Sequence, residues 1–523
     1  RTVLDLYIWS WIFLVVYVGG MLAIGVIGQR KVQHADDFAT ARGSYGPVFL
    51  AFAFAATTAS GATFLGGPGL GYEIGLAAQW GNFLYPIGVY FGVLISMRLI
   101  ATSGNRFGAR SIPEFLGDRY QSEGIRVMVS VFSLVLFFYL AGQLVSGLVM
   151  FEIMLGLPPE WALIITALVL VIYVVMGGAH ADILTDGVQG AMMLIVAIVV
   201  IGLVLFGVGV DGGFGGVLDK LSAQNPNLVS PLNPDSALTH SWWAIGAVVF
   251  AHIPLGLLPH LGNKLWALRS VGDQRTFIKL AFLVGLALAM MGLCGLLARA
   301  LFGDALFSDG LTPNYALPMV FIELFPTWLA ALVGVGVLAA IMSTADGLVV
   351  SSSQIVANDL YRRSIVPRLK NQPSEEKLDR QILTISRVAT VVVLVVCVAM
   401  AWALQNTNIA LIIWIGNGGL MAAFAGPLVM GALWRGVTRT GAYAGLASGF
   451  FTFLILHTQS LDPSWFGNSG IAFDIASWLH GEGPNPFSCA AIGEAVSILT
   501  TFIVSKRTQP LPQEHVDDIF SAA

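Results

Sequence analysis

Apolar residues run through this chain in long stretches that are interrupted only by short polar segments. A bilayer core of about 30 Å needs roughly 20 apolar residues in a helix. That length, applied from Val3 to Val504, predicts an all-α integral membrane protein with about thirteen spans in one membrane domain, residues 1–523. The predicted spans, one to thirteen, cover residues 3–28, 47–72, 77–101, 125–152, 159–177, 180–209, 241–260, 275–303, 326–357, 381–405, 408–433, 437–458 and 485–506.

The positions of Lys and Arg predict the orientation, because cationic loops remain cytoplasmic. With the N-terminus outside, 23 of the 26 Lys and Arg residues fall in or beside cytoplasmic segments. Only Arg1, Lys220 and Arg299 then lie outside. One span more or fewer in the middle would destroy this sorting. The charges therefore favour an odd number of spans and a cytoplasmic C-terminus.

Composition supports a membrane protein and excludes a soluble one. The chain is 56% hydrophobic and 11% charged, whereas soluble domains carry about 25% charged residues.

The first apolar run is too long for the core of a signal peptide and has no small-residue cleavage site after it, so we expect a retained helix. Cys294, Cys397 and Cys489 fit neither a disulfide framework nor a metal site, and we expect inert core thiols.

Three segments outside the spans have simpler interpretations. The run from Val210 to His240 is rich in Gly, Pro, Asn and Asp and is predicted to be an external loop. Ser111 to Tyr120 opens with Ser-Ile-Pro-Glu, which is typical of a helix start and predicts a short cytoplasmic surface helix. The tail after Arg507 is short and polar, so we expect no soluble catalytic or signalling domain there.

The second span has an unusual composition between Ala55 and Gly69. It holds four hydroxyl side chains, four glycines and Pro68 at membrane depth. If this helix unwinds it cannot face lipid, because unpaired backbone groups are costly in hydrocarbon. Freed carbonyls would then bind a cation, and half-helix N-termini would attract an anion. A straight helix whose small residues permit close packing is the alternative, and this segment alone does not decide between them.

The ninth span carries adjacent hydroxyls at Ser343 and Thr344, one turn beyond Ala340. Na⁺ is a hard cation that suits carbonyl and hydroxyl oxygens on adjacent turns. Hydroxyls in membrane helices also commonly bond back to their own backbone. Asp346 resists that simple interpretation, because an ionisable group at this depth marks an ion pathway or a charge pair by default.

The sixth span carries Asp182 and Asp186, which share a helix face and repel unless a cation or proton lies between them. Solvation near the cytoplasmic mouth is one explanation for Asp182. Asp186 lies one turn deeper and is the better candidate for an ion pathway. Gln143, among aromatic residues of the fourth span, would either form a hydrogen bond between helices or contact a substrate.

Taken in order, these motifs resemble the sodium/solute symporter family across nearly the whole chain. They are the Ala56–Gly69 segment, Thr185-Asp186-x-x-Gln189, Pro259-His260 with Lys264, Met342-Ser343-Thr344 with Asn358 to Tyr361, and Gly441-Ala442 after Arg439. Phe64 to Gly69 is closest to the motif of sodium/pantothenate symporters, with proline and monocarboxylate carriers as relatives.

The resemblance implies a leucine-transporter-type core of two inverted five-helix repeats with broken helices. These are residues 47–209 and 241–433, and the peripheral helices are 3–28, 437–458 and 485–506. It implies Na⁺ as coupling ion, held by the carbonyls of Ala56, Ala59 and Ala340 and the hydroxyls of Ser343 and Thr344. Asp186 matches a carboxylate near the inner exit or at a second sodium. Ala340 stands where that second site uses a hydroxyl residue, which argues against a second sodium.

The resemblance also places the substrate beside this ion, between the breaks of spans two and seven. We place no Lys or Arg at mid-membrane depth, so an anionic substrate would rely on hydroxyls, helix N-termini and Na⁺. His252 is either a pH-sensitive donor or a neutral core residue, and Trp80 and Phe250 are alternatively packing residues. The candidate contacts are Thr58, Ser60, Thr63, Gln79, Trp80, Gln143, Phe250, His252 and Asn417.

The resulting hypothesis is Na⁺-coupled symport of a small organic solute by alternating access, in the bacterial inner membrane. Pantothenate or another small carboxylate is favoured, and proline-like amino acids or sugars are the alternatives. A solute sensor with little flux and a proton-coupled carrier using Asp186 and Asp346 remain open. A membrane enzyme is discounted because the His residues are scattered. The expected partners are the solute and membrane lipid, without nucleic acid, for a monomer or weak oligomer.

Overall fold

The computed structural model describes residues 2–308, 310–404 and 409–521. In these ranges the chain forms 23 α-helices, joined by short 3₁₀ and π segments, and no β-strand. The first eleven helices are α1 (Thr2–Lys31), α2 (Ala35–Thr40), α3 (Pro47–Thr58), α4 (Gly67–Ile74), α5 (Gln79–Phe107), α6 (Ile112–Tyr120), α7 (Glu123–Ser133), α8 (Leu136–Leu155), α9 (Pro159–Leu205), α10 (Gly213–Gln224) and α11 (Trp242–His252). The others are α12 (Pro259–Gly262), α13 (Gln274–Ala289), α14 (Cys294–Phe302), α15 (Ala316–Leu324), α16 (Thr327–Gln354), α17 (Glu375–Leu404), α18 (Ile409–Phe424), α19 (Gly431–Leu433), α20 (Arg439–His457), α21 (Ile471–Glu482), α22 (Pro486–Arg507) and α23 (Gln513–Ser521).

Each predicted span has a helical counterpart. Within the described ranges, nine helices are long and apolar enough to cross a membrane, and a bent pair around residue 258 makes ten. Shorter apolar helices at Pro47–Thr58, Pro159–Ile172 and Asn417–Leu433 match spans two, five and eleven. The predicted boundary between spans ten and eleven, residues 405–408, lies outside the described residues. Thirteen crossings and an external N-terminus remain predictions.

Two helices break where the sequence analysis expects them to. The helix α3 ends at Thr58, and Ala59 and Ser60 are not helical. The chain then continues as a π-helix, Ala62–Gly66, into α4. The helix α11 ends at His252, and the chain bends by 55° before α12. Both breaks leave backbone carbonyls at a helix end without partners in their own helix.

The helix α16 lies at the centre of the bundle and packs against α1, α3, α8 and α9. From Val333 to Gln354 it is buried on all sides. Spans five and six are the two parts of α9, which meet at Gly178 with a φ of 52°. A Cβ at Gly178 would lie 2.6 Å from the ring of Phe38, so a side chain is excluded there by contact as well as by conformation.

Two expectations outside the spans need correction. The helix α6 forms as predicted, with the Ser111 hydroxyl accepting from the Glu114 N–H at 3.1 Å, but it is buried and not a surface helix. Arg119 and Tyr120 are 1% and 0% exposed, since α23 and the π-helix Ile355–Ile365 lie against this region. The predicted external loop 210–240 also contains the helix α10. The three cysteines are buried and unpaired, as expected.

Candidate ion and solute site

The broken end of α3 meets the middle of α16 through two side-chain hydroxyls. Ser343 Oγ donates to the carbonyl oxygen of Ala56 at 2.9 Å, and to that of Ala340 at the same distance. Thr344 Oγ1 donates to the carbonyl oxygen of Thr57 at 2.9 Å. The accepting carbonyls of α3 belong to its last turn, where helical partners are lost at the break. The structure therefore brings together Ala56, Ala340, Ser343 and Thr344 of the predicted sodium ligands.

The fifth predicted ligand, Ala59, lies at the break itself. Its N–H donates to the carbonyl of Ala55 at 3.0 Å, which closes the last turn of α3. With a ψ of 40°, Ala59 then leaves the helical path. The side chains of Ser343 and Thr344 are fully buried. Oxygen atoms from two helices thus converge in a region closed to bulk water, which is the environment that a hard cation needs.

Three buried carboxylates lie directly beside these hydroxyls. Asp182, Asp186 and Asp346 each have an oxygen within 4.8 Å of the other two. Asp186 Oδ2 accepts a hydrogen bond from Thr57 Oγ1 at 2.6 Å, and Asp346 Oδ2 accepts one from Thr185 Oγ1 at 3.1 Å. Since the carbonyl of Thr57 also accepts from Thr344, the carboxylates are linked to the hydroxyl site through a single residue.

Lys264, which the charge sorting counts among the cytoplasmic residues, is buried beside these carboxylates. It is 2% exposed, its ammonium forms an ion pair with Asp182, and its Nζ lies 3.6 Å from Asp186 Oδ2. The solvated interpretation of Asp182 is also wrong, because that side chain is 2% exposed. The sequence shows two aspartates on one helix face, which need a cation or proton between them. The 55° bend after α11, which the sequence does not show, directs Lys264 inward to supply that cation.

A cavity of about 540 Å³ lies next to this site, between α3, α5, α8, α11 and α18. Polar groups from several helices line it, and Tyr85 donates from its hydroxyl to the carbonyl of Thr58 at 2.9 Å. Five of the nine predicted substrate contacts line the cavity: Thr58, Ser60, Thr63, His252 and Asn417. Sequence reasoning missed other lining residues, among them Asn82, Tyr85, Tyr139, Ser146, His260 and Asn314.

Two further predicted contacts lie one layer behind the cavity wall. Gln143 Oε1 accepts from the N–H of Gly61 at 3.2 Å, and Gly61 lines the cavity. Gln79 accepts from Asn82, which also lines it, at 2.9 Å. Both glutamines therefore shape the wall. Gln143 Nε2 has no hydrogen-bond partner among the described residues.

The remaining two candidates are corrected by the structure. Trp80 lies outside the cavity, where its Nε1 donates to the carbonyl of Pro231 at 3.0 Å and its ring contacts Trp242. Phe250 is 55% exposed and lines a separate apolar groove with Glu494 of α22. The packing interpretation of both aromatic residues fits better than solute contact. Spacing alone could not show which face of α11 points inward, because the helix is apolar all round.

Comparisons with known proteins agree with this architecture. The sodium:solute symporter family matches residues 38–449 of the chain. The sodium/proline symporter of Escherichia coli K12 is 28% identical over 496 residues, 90% of this chain and 93% of that protein. The sodium/pantothenate symporter of the same organism is 28% identical over 459 residues, 86% of this chain and 90% of that protein. A solved Na⁺-coupled sialic acid symporter, in a substrate-bound outward-open state, is similar with a TM-score of 0.73 and 19% identity, covering 97% of this chain and 99% of that one.

The structural likeness confirms the leucine-transporter-type fold. The named relatives are transporters, and bacterial ones, which fits a multi-pass protein of the bacterial inner membrane. The family match also supports Na⁺ as the coupling ion and a small solute as the transported partner. Since that match spans far more than half of the sequence, this chain belongs to the sodium:solute symporter family.

Proposed function

We propose that this symporter moves a small organic carboxylate together with Na⁺ by alternating access, with pantothenate as the leading solute. The observation that carries the proposal is the pair of hydrogen bonds from Ser343 and Thr344 to the last turn of α3, beside a polar cavity. The proposed inverted repeats, 47–209 and 241–433, each contain one of the two helix breaks.

The proposed sodium site uses the carbonyls of Ala56, Ala59 and Ala340 and the hydroxyls of Ser343 and Thr344. With Na⁺ bound, the two hydroxyls turn their lone pairs to the ion and their protons elsewhere. The ion then ties the end of α3 to α16 more strongly than the two hydrogen bonds alone. Since α3 also lines the cavity, an ion that stabilises this arrangement favours solute binding, and the solute favours ion binding in return.

The cavity chemistry supports a polar solute whose negative charge lies near Na⁺. Among the described residues that line it, there is no Lys or Arg. The donors for a carboxylate are hydroxyls such as Ser60 and Thr63. Asn417 Oδ1 is buried without a hydrogen-bond partner in the described part of the chain, and offers an acceptor for a hydroxyl or amide of the solute. Buried polar atoms are normally satisfied, so such atoms at a cavity indicate a ligand.

A zwitterionic, proline-like amino acid is the second candidate, and Glu73 is the observation that favours it. This carboxylate side chain lines the cavity and is exposed. It offers a negative partner to the ammonium group of such a solute. The sodium/proline relative of Escherichia coli is consistent with this chemistry.

Thermal unfolding of the purified chain with a panel of solutes, each with Na⁺ and with K⁺ in its place, tests the proposal. We expect pantothenate or another small carboxylate to raise the midpoint in Na⁺ and to lose most of that effect in K⁺. Stabilisation by proline alone would select the second candidate. Equal stabilisation by the active solute in both salts would overturn the proposed sodium site.

A further inference from the structure

Lys264 lies against a cluster of buried carboxylates. It follows the bend after α11, in the 3₁₀ segment Asn263–Ala267, and its ammonium contacts Asp182 and approaches Asp186. Together with Asp346, these carboxylates form a compact buried cluster. Carboxylate oxygens at such spacing are suitable ligands for a hard cation, and here a covalently attached ammonium pairs with one of the three carboxylates and lies 3.6 Å from a second.

This cluster belongs to the same junction as the proposed sodium site. The Thr57 hydroxyl donates to Asp186 while the Thr57 carbonyl accepts from Thr344. Na⁺ would therefore supply one positive charge at the hydroxyls, and Lys264 supplies a second at the carboxylates. Thr57 contacts both groups.

The backbone shows which parts of the molecule these two charges connect. The segment that holds Lys264 is joined to the segment before α3, because the Tyr45 N–H donates to the carbonyl of Ala267 at 2.9 Å and the Arg269 N–H donates to that of Tyr45 at 3.0 Å. The carboxylates lie on α9 and α16 instead. Lys264 therefore connects the segment before α3 to α9, and Na⁺ at the proposed site would connect the end of α3 to α16.

We propose that Lys264 is a built-in countercation that takes the place of a second Na⁺ at Asp182, Asp186 and Asp346, so that the protein binds a single Na⁺. This inference rests on the proposed sodium site at Ser343 and Thr344. An attached ammonium needs no removal of water from a fresh ion in each cycle, and it leaves only the ion at the hydroxyl site to be drawn from the gradient. Lys264 is thus a positioning residue that sets ion stoichiometry.

Equilibrium dialysis of the purified full chain against radioactive Na⁺ measures this stoichiometry without any solute. We expect one Na⁺ per wild-type chain and two per Lys264→Ala chain, because the substitution frees the carboxylate cluster for a second ion. Lys264→Arg keeps the charge and should bind one. Lys279→Ala, which removes an exposed lysine of α13, should also bind one.

Because Lys264→Ala leaves Asp182 without its countercharge, Asp182→Asn/Lys264→Ala is the second test. This double variant removes both charges of the pair and keeps Asp186 and Asp346, so two Na⁺ per chain are again expected. Two Na⁺ in the wild type, or a single Na⁺ in whichever neutralised variants fold, would overturn the inference while leaving the sodium site in place. Absence of any bound Na⁺ in the wild type would instead overturn the sodium site, and this inference with it.

Discussion

Ser343 and Ala56 are 287 positions apart in the chain, yet Ser343 Oγ lies 2.9 Å from the carbonyl oxygen of Ala56 and donates to it. The bond joins the centre of α16 to the last turn of a broken helix. Thr344 forms the neighbouring bond to Thr57. Both hydroxyls therefore bond to another helix, although Ser343 also donates to Ala340 in its own helix. Ser351 and Ser353 of α16, in contrast, donate to carbonyls of that same helix.

The first prediction concerns these two hydroxyls. Ser343→Ala and Thr344→Ala each remove one oxygen ligand, so each should raise the Na⁺ concentration for half-maximal uptake about tenfold, which corresponds to about 1.4 kcal/mol. The double variant should lose Na⁺-dependent uptake. Uptake by membrane vesicles over a series of Na⁺ concentrations measures both effects.

Ser351→Ala is the matched control for that series. Ser351 also lies buried in α16, but its hydroxyl donates to the carbonyl of Leu348 in its own helix at 3.1 Å. Its removal should leave the Na⁺ dependence unchanged. An unaltered Na⁺ dependence in the Ser343→Ala/Thr344→Ala variant would refute the assignment of the site.

The second prediction concerns the contact between Thr57 and Asp186. Thr57→Val removes the 2.6 Å hydrogen bond to the carboxylate, and Asp186→Ala removes its acceptor. If the bond positions the groups of the proposed ion site, the effects of the two substitutions on the free energy of Na⁺ binding should be non-additive. The expected coupling is about 2 kcal/mol, within the range for hydrogen bonds to charged groups. A double-mutant cycle on Na⁺ affinity measures this coupling.

Ser133→Ala serves as the reference for additivity in that cycle. Its hydroxyl donates to the carbonyl of Val129 in its own helix at 2.7 Å, and it is buried in α7. Combined with Asp186→Ala, it should give the sum of the two single effects. Equal additivity for Thr57→Val would mean that the hydroxyl acts independently of Asp186.

The third prediction separates solute from ion. Asn417 Oδ1 lines the cavity without a hydrogen-bond partner among the described residues. Asn417→Ala should therefore raise the KM for the solute about tenfold, or about 1.4 kcal/mol, while the half-saturating Na⁺ concentration changes little. Phe250→Ala is the control, because Phe250 lies in a different groove. A larger effect on KM from Phe250→Ala than from Asn417→Ala would place the solute elsewhere.

The contact between the broken helix α3 and α16 could be predicted from sequence because its residues are chemically out of place. Hydroxyls, glycines and a proline at membrane depth demand an explanation that lipid-facing packing does not give. The same reasoning identified Asp186 and Asp346. In each case, the physical cost of a polar group in hydrocarbon was itself the signal.

Contacts that depend on how the helices pack could not be predicted in this way. Tyr85 and Tyr139 occur in apolar spans where aromatic side chains are ordinary, and only the packing turns them toward the cavity. Lys264 was assigned to a cytoplasmic loop because a bend of 55° is not visible in hydropathy. The burial of α6 depends on α23, whose sequence alone does not say what it covers.

The last prediction concerns pH and the buried helix α6. Asp118 forms an ion pair with Arg363 at 3.3 Å. Its burial, with the nearby carboxylate of Glu114, raises the pKa of Asp118 to about 6, although Arg363 opposes the rise. A raised pKa in the folded state means that Asp118 contributes most to stability when it is protonated, below its unfolded pKa of about 4. That contribution is lost as the pH rises through about 6.

The asparagine of Asp118→Asn cannot ionise, so the variant does not lose stability at this position as the pH rises. The midpoint of thermal unfolding of the variant, relative to wild type, should therefore move upward as the pH is raised from about 4.5 to about 7. Asp211→Asn, at an exposed position outside the spans, reports the effect of the same substitution at the surface. A relative midpoint for Asp118→Asn that stays constant or falls over this range would mean that the Arg363 ion pair, and not burial, dominates at Asp118. Because α6 packs against the π-helix that continues α16, this measurement reports on the stability of a region that adjoins the helix of the proposed sodium site.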